Sequence, residues 1–169
     1  MSKMYKRVLL AYDGTLEGRT ALREGALLAK ACHAQVFFLS VLKDATGFRL
    51  AEGVNPYATT HLNSSESSVF DEGVARLKQM GLDPVAKMMT GDPAACIGAF
   101  AREVAPDLVV VGHRKQGVLS RWWSGSSGAY LCDQVDCSLL IGRTTIDDET
   151  FKSDLRKLDR SEAERATVG

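Results

Sequence analysis

The chain contains no CxxC pair. Its four cysteines stand singly at positions 32, 96, 132 and 137, so the spacing of a zinc ribbon or a thioredoxin-like redox motif is missing. A reduced thiol set, as in the cytoplasm, is the expectation. No apolar stretch approaches the ~20 residues that cross a bilayer. The start, MSKMYKRVLLAY, is basic, but its apolar run is short and is broken by Asp13, so no secretory leader is read there. An excess of charge of one sign is also lacking: Lys plus Arg and Asp plus Glu each number 21. No global field therefore draws the chain to nucleic acid or to an anionic membrane. There is no internal repeat. A composition that is 45% hydrophobic and 25% charged excludes disordered and fibrous classes. What remains is a chain of 169 residues, long enough for one domain with a sizeable core.

Short apolar runs alternate with helical patterns. RVLLAY (7–12) stops at Asp13-Gly14 and reads as a buried strand with a loop after it. QVFFLSVL (35–42), DPVAKMM (83–89), DLVVV (107–111) and SLLIG (138–142) are four more. Between them, residues 15–33 place Leu22, Gly25, Ala29 and Cys32 at helical spacing. Residues 62–80 do the same with Leu62, Phe70, Gly73, Leu77 and Met80, and Gly81 supplies the stop. Asp92-Pro93 is an N-cap and a first-turn proline for a helix with Ile97, Ala101 and Val104, and Pro106 bars its continuation. Residues 126–135 make a last short helix. The alternation predicts an α/β fold: a doubly wound, Rossmann-like, five-stranded parallel sheet with helices on both faces.

Ligands of such sheets bind outside the carboxyl ends of the strands. Here those ends are Asp13, Val41-Leu42, Thr90-Gly91 and Gly112. Residues 43–61 form a connection of a length that is usually either functional or disordered, a lid over the strand ends being one functional role. Residues 1–143 read as the α/β domain, and 144–169 as a charged carboxyl-terminal extension. Phe151, Leu155 and Leu158 recur there at helical spacing. A frayed, solvated tail is the expectation, with a short docking helix as the alternative.

Two motifs around these ends fail on specific side chains. DGTL (13–16) imitates the D-x-D-G-T of haloacid-dehalogenase-like phosphatases, but the nucleophile's place is Ala11, and no aspartyl phosphate forms without a carboxylate. Gly112 and Gly117 imitate a Walker A loop, but Val118 and Leu119 follow where Lys and Ser or Thr are needed. G-x-G-x-x-G is absent. Asp13 is either a turn residue accepting local N–H groups or a strand-end carboxylate for a ligand's hydroxyl or amino group. Gly112 ends a strand and allows close backbone approach. Gly125, Ser126 and Ser127 open the last helix, where free N–H groups hold anions or Ser126 simply caps. Arg114 and Arg121 are either phosphate ligands or solvated. His113 has no second His or acid at ligand spacing, so no metal site is read.

Taken together, these residues resemble the universal stress protein family. Its nucleotide-binding branch carries G-x2-G-x9-G-(S/T) after the fourth strand, and Gly112-His113-Arg114-Lys115, nine residues, then Gly125-Ser126 stand here. LSRWWSGSSG and CSLLIGR fit as well, and the likeness covers roughly residues 4–143. The resemblance implies an adenine nucleotide: ATP, with AMP or ADP as alternatives, with or without magnesium. It implies that Ala11, Tyr12 and Asp13 border the base or ribose. Val41 would take adenine through its backbone, and Gly112, His113, Arg114 and Lys115 would lie near the ribose and phosphates. Gly125, Ser126 and Ser127 would hold phosphates. It further implies a cytoplasmic homodimer, paired through the last strand (138–142), that acts as a regulatory switch in stress response. Alternatives are a nucleotide-independent dimeric interaction protein and a slow ATPase or self-phosphorylating protein, although no poised general base is evident. One departure is specific: Lys115 stands at the motif's second glycine. At positive φ a lysine costs about 1–2 kcal/mol; beside a phosphate its ammonium replaces lost contacts by charge.

Overall fold

Each strand of the centre is apolar on both faces because helices cover both. The computed structural model of the chain describes residues 4–42, 58–112, 131–143 and 145–168, with backbone alone at 58–66, 165, 166 and 168. Its strands are β1 (Arg7–Tyr12), β2 (Gln35–Leu42), β3 (Val85–Thr90), β4 (Leu108–Gly112) and β5 (Ser138–Gly142). They form one sheet in the order β3-β2-β1-β4-β5, and every pairing is parallel. The helices are α1 (Leu16–Ala31), α2 (Ala58–Gln79), α3 (Pro93–Val104), α4 (Leu131–Gln134) and α5 (Asp148–Val168).

Alternate strand residues point to opposite faces, and two cores result. Val8, Leu10, Tyr12, Val36, Phe38, Leu108 and Val110 pack with Leu22, Ala26 and Ala29 of α1, Leu77 of α2 and Phe151 of α5. Leu9, Ala11, Phe37, Leu39, Val109 and Val111 pack with Ile97, Phe100 and Val104 of α3 and Leu131 of α4. The predicted doubly wound arrangement is present, with α1, α2 and α5 on one face and α3 and α4 on the other.

Local chemistry sets the boundaries. Thr15 caps α1, its hydroxyl accepting from Gly18 N at 3.0 Å. Asp92 caps α3 by accepting from Ala95 N at 3.0 Å, with Pro93 in the first turn. α3 ends on Ala105 at φ 43, before Pro106. Gly81, at φ +76, turns the chain out of α2. β1, β2 and β5 span the residues expected of them. β3 and β4 end one residue later than expected, because ladder pairing runs on to Thr90 and Gly112. α2 starts at Ala58 rather than 62. Of the helix expected at 126–135, Leu131–Gln134 is helical, and 126–130 lie outside the described residues.

The expectation of a frayed tail is wrong. α5 is a 21-residue helix docked on α1. Asp147 caps it: Oδ1 accepts from Glu149 N at 3.0 Å and Thr150 N at 2.9 Å, and Oδ2 from the Thr150 hydroxyl at 2.7 Å. Phe151 is buried in the first core, with Leu155 packed beside it. The apolar period was present in the sequence; the surface that receives it is made by α1.

Candidate functional site

Strand order reverses between β1 and β4, and there the sheet opens. β1 pairs with β4 only as far as Leu10 and Val110. Beyond that, Ala11 and Tyr12 pair with β2 alone, and Val111 and Gly112 with β5 alone. A crevice at the carboxyl ends of the strands follows from the diverging ladders. β2 also outruns β1: the last pair is Tyr12 with Ser40, so Val41 and Leu42 have backbone with no β1 partner. This is the position expected to read a base through the main chain.

Asp13 sits at the rim, exposed. Its Oδ1 accepts from Thr15 N at 3.1 Å and from the Thr15 hydroxyl at 2.6 Å. Gly14, at φ +73, makes that tight turn possible, and a Cβ there would meet Val69 Cγ1 at 2.7 Å. Oδ2 accepts no hydrogen bond from the described residues. The turn reading of Asp13 is what the described contacts show: Oδ1 builds the turn.

Gly112 has a second reason to be glycine. A Cβ there would lie 2.8 Å from Glu17 O and 2.9 Å from Gly18 N. Any side chain would push the first turn of α1 off β4, so the close approach at this position is made by α1. Gly18 was missed by sequence reasoning. A Cβ on it would meet Asp13 Oδ1 at 2.5 Å and the Thr15 hydroxyl oxygen at 3.2 Å. The bare backbone of Gly18 is what lets the Asp13 carboxylate settle over the α1 amino end. The spacing of Asp13, Thr15 and Gly18 was its only signal.

Behind the rim, Tyr12 is buried on the α2 side, its ring 5.7 Å from Phe38. Arg19 pairs with Glu72 at 3.1 Å, and Glu72 also pairs with Arg76 at 2.7 Å. The hydrogen bond from Arg76, with the nearby Arg19 charge, holds the Glu72 carboxyl below its ordinary range despite partial burial. This carboxylate therefore stays ionised and ties α1 to α2. Among the described residues no group of three His, Cys, Asp or Glu is placed to hold a metal.

The structure thus brings Ala11, Tyr12, Asp13, Val41 and Gly112 to one end of the sheet. His113, Arg114, Lys115, Gly125, Ser126 and Ser127 lie outside the described residues, as do residues 43–57 of the expected lid. No helix among the described residues is long and apolar enough to cross a membrane.

Comparison with known proteins places this geometry. A universal stress protein A homolog of Haemophilus ducreyi is 27% identical over 145 residues, covering 82% of this chain and 96% of the relative. A universal stress protein solved in complex with cAMP superposes with a TM-score of 0.58 at 21% identity, covering 82% of this chain and 97% of that one. A universal stress protein family member from Arabidopsis thaliana, solved with AMP bound, superposes with a TM-score of 0.55 at 18% identity, covering 82% and 92%. The sequence profile of the universal stress protein family matches residues 4–143, and the chain belongs to that family.

Proposed function

We propose that the protein binds an adenine nucleotide in the crevice between β1 and β4 and acts as a dimeric regulatory switch. The observation that carries this reading is the opened ladder beyond Leu10 and Val110, with Asp13 at its rim and, beside it, the end of β2 that runs past its last β1 partner. A ribose hydroxyl would donate to Asp13 Oδ2, and the Val41 backbone would face the base edge. ATP is the proposed ligand, with AMP or ADP as alternatives and magnesium as an optional companion. Support comes from structural relatives that hold cAMP and AMP. Lys115 and the Gly125-Ser126-Ser127 segment would meet the phosphates.

The switch is proposed to be a homodimer. β5 is an edge strand whose outer backbone groups pairing with a second copy would satisfy. A cytoplasmic setting fits the four free cysteines.

Calorimetric titration with ATP, with and without magnesium, tests the reading. Binding is expected, weakened at least ~10-fold by Asp13→Ala, the loss of about 1.4 kcal/mol. Affinity is also expected to change in Lys115→Gly. Absence of heat and of thermal stabilisation at millimolar nucleotide defeats the proposal. One observation favours a nucleotide-independent interaction protein: Gly112 is already explained by α1 packing. Nucleotide released on denaturing the purified protein would count against that second reading.

A further inference from the structure

From the middle of α1 to its end away from the crevice, α5 meets α1 through charges sorted by element. Asp148 of α5 pairs with Arg23 of α1. Asp159 and Glu162 of α5 face Lys30 of α1, at 2.7 and 3.7 Å. Glu162 also contacts His33 Nδ1 at 3.0 Å. In each pair the acid comes from α5 and the base from the α1 segment.

Lys30 is 5% exposed, and its ammonium also donates to Met80 O at 3.1 Å. Glu162 forms one wall of a cleft of about 270 Å³ that Lys30, His33, Val36, Leu82 and Asp83 also line. Apolar attachment is thin by comparison. Of the 21 residues of α5, Phe151 alone is buried among those described. It sits under the Arg23 guanidinium, 5.2 Å from the ring centroid, and Arg23 also donates to Ile146 O at 3.1 Å. The outward face of α5 is polar, with Lys152, Arg156 and Arg160 exposed four residues apart.

We propose that α5 is an exchangeable clasp: it masks in cis a groove on α1, built from Arg23, Lys30 and the seat of Phe151, that accepts an acidic amphipathic helix. The groove's occupant in the closed protein is α5 itself. Release strips the Lys30 ammonium of both carboxylates and leaves the apolar seat without its ring, and a second helix carrying the same acids and ring restores both contacts. Tethering keeps α5 in place through a high effective concentration, about millimolar for a short linker. A competing acidic helix therefore gains access only when the cis grip weakens. This inference does not depend on nucleotide binding.

The test uses the full chain and a fluorescent peptide of residues 146–168. Fluorescence anisotropy is measured against the wild type, an Asp159→Asn/Glu162→Gln variant, and Phe151→Ala, which weakens the apolar anchor instead. Amide hydrogen exchange verifies that β1, β2 and β4 stay protected. The weakened chains are expected to bind the peptide at least ~10-fold more tightly than the wild type, because the tethered competitor is impaired. Adding Lys30→Met, or raising the salt, is expected to remove that gain. Equal binding by wild type and variants overturns the proposal, since the peptide would then sit elsewhere. No binding to either weakened chain also overturns it, since α5 would then be a permanent part of the core.

Discussion

Oδ1 of Asp13 is held by the Thr15 amide and hydroxyl, which orients the carboxylate before any ligand arrives. Gly18 guards that arrangement, since a methyl group there would come within 2.5 Å of the same oxygen. Its backbone is helical, so Gly18→Ala is locally favourable by up to about 1 kcal/mol. The substitution is expected to leave folding stability within ~1 kcal/mol in a denaturant titration while lowering nucleotide affinity at least ~10-fold. Unchanged affinity would show that Asp13 does not orient the ligand. Thiol reactivity is decided at the same scale. Burial raises the pKa of both Cys96 and Cys137, nearby carboxylates adding to the effect, so both thiols stay protonated at neutral pH. Cys132 is exposed. Timed alkylation followed by mass spectrometry is expected to label Cys132 before Cys96 and Cys137.

At the scale of elements, α1 and α5 carry the arguments. α1 has the Thr15 cap at the crevice end and Lys30 at the clasp end, so one helix borders both. α5 depends on Asp147, whose carboxyl is held below its ordinary range by hydrogen bonds from Thr150 first and Glu149 after. A depressed folded pKa gives stability that is fully present above the unfolded value, about 3.9. It is lost as pH falls through the lower folded value. In Asp147→Asn that acid-dependent part is expected to disappear. Hydrogen exchange of α5 amides at neutral pH would be faster than in the wild type, and its dependence on pH below about 4 shallower. A wild-type-like acid profile in the variant would remove Asp147 from the account.

For the whole molecule, the sheet holds together because both of its faces are filled closely. Gly25 of α1 rests on β1 and β4: a Cβ there would meet Leu10 Cδ2 at 2.6 Å and Val110 Cγ1 at 3.1 Å. Gly142 does the same for β5, where a Cβ would meet Ala21 Cα at 2.7 Å. Gly25→Ala is therefore expected to destabilise by about 1–3 kcal/mol through overpacking. In a domain of this size each kcal/mol lowers the melting temperature by roughly 2–4 °C. Calorimetry giving an unchanged or higher melting temperature would contradict the packing described. The same packing explains why the central strands β1 and β4 carry unbroken apolar runs, and polar groups cluster at the amino end. Asp107 accepts from Lys6 N and Arg7 N at 2.7 and 3.1 Å, closing backbone groups that the ladder leaves unpaired.

The amino-acid sequence alone determined the order of elements and the fold class. Buried parallel strands must be continuously apolar, and caps such as Thr15, Asp92 and Gly81 are local chemistry. It also placed Asp13, Val41 and Gly112 at one edge of the sheet, because parallel strands joined by helices all end on the same side; which two strands part there was decided by the order β3-β2-β1-β4-β5. Tertiary structure alone decided the fate of residues 145–168. The period of Phe151, Leu155 and Leu158 means nothing until α1 offers a seat and a buried ammonium to receive it. Only the fold assigned the bare faces of Gly18 and Gly112, since a glycine's missing Cβ is informative only when the atoms it would strike are known. Contacts between segments a hundred residues apart in the chain are set by how the helices pack on the sheet, and no local pattern encodes that.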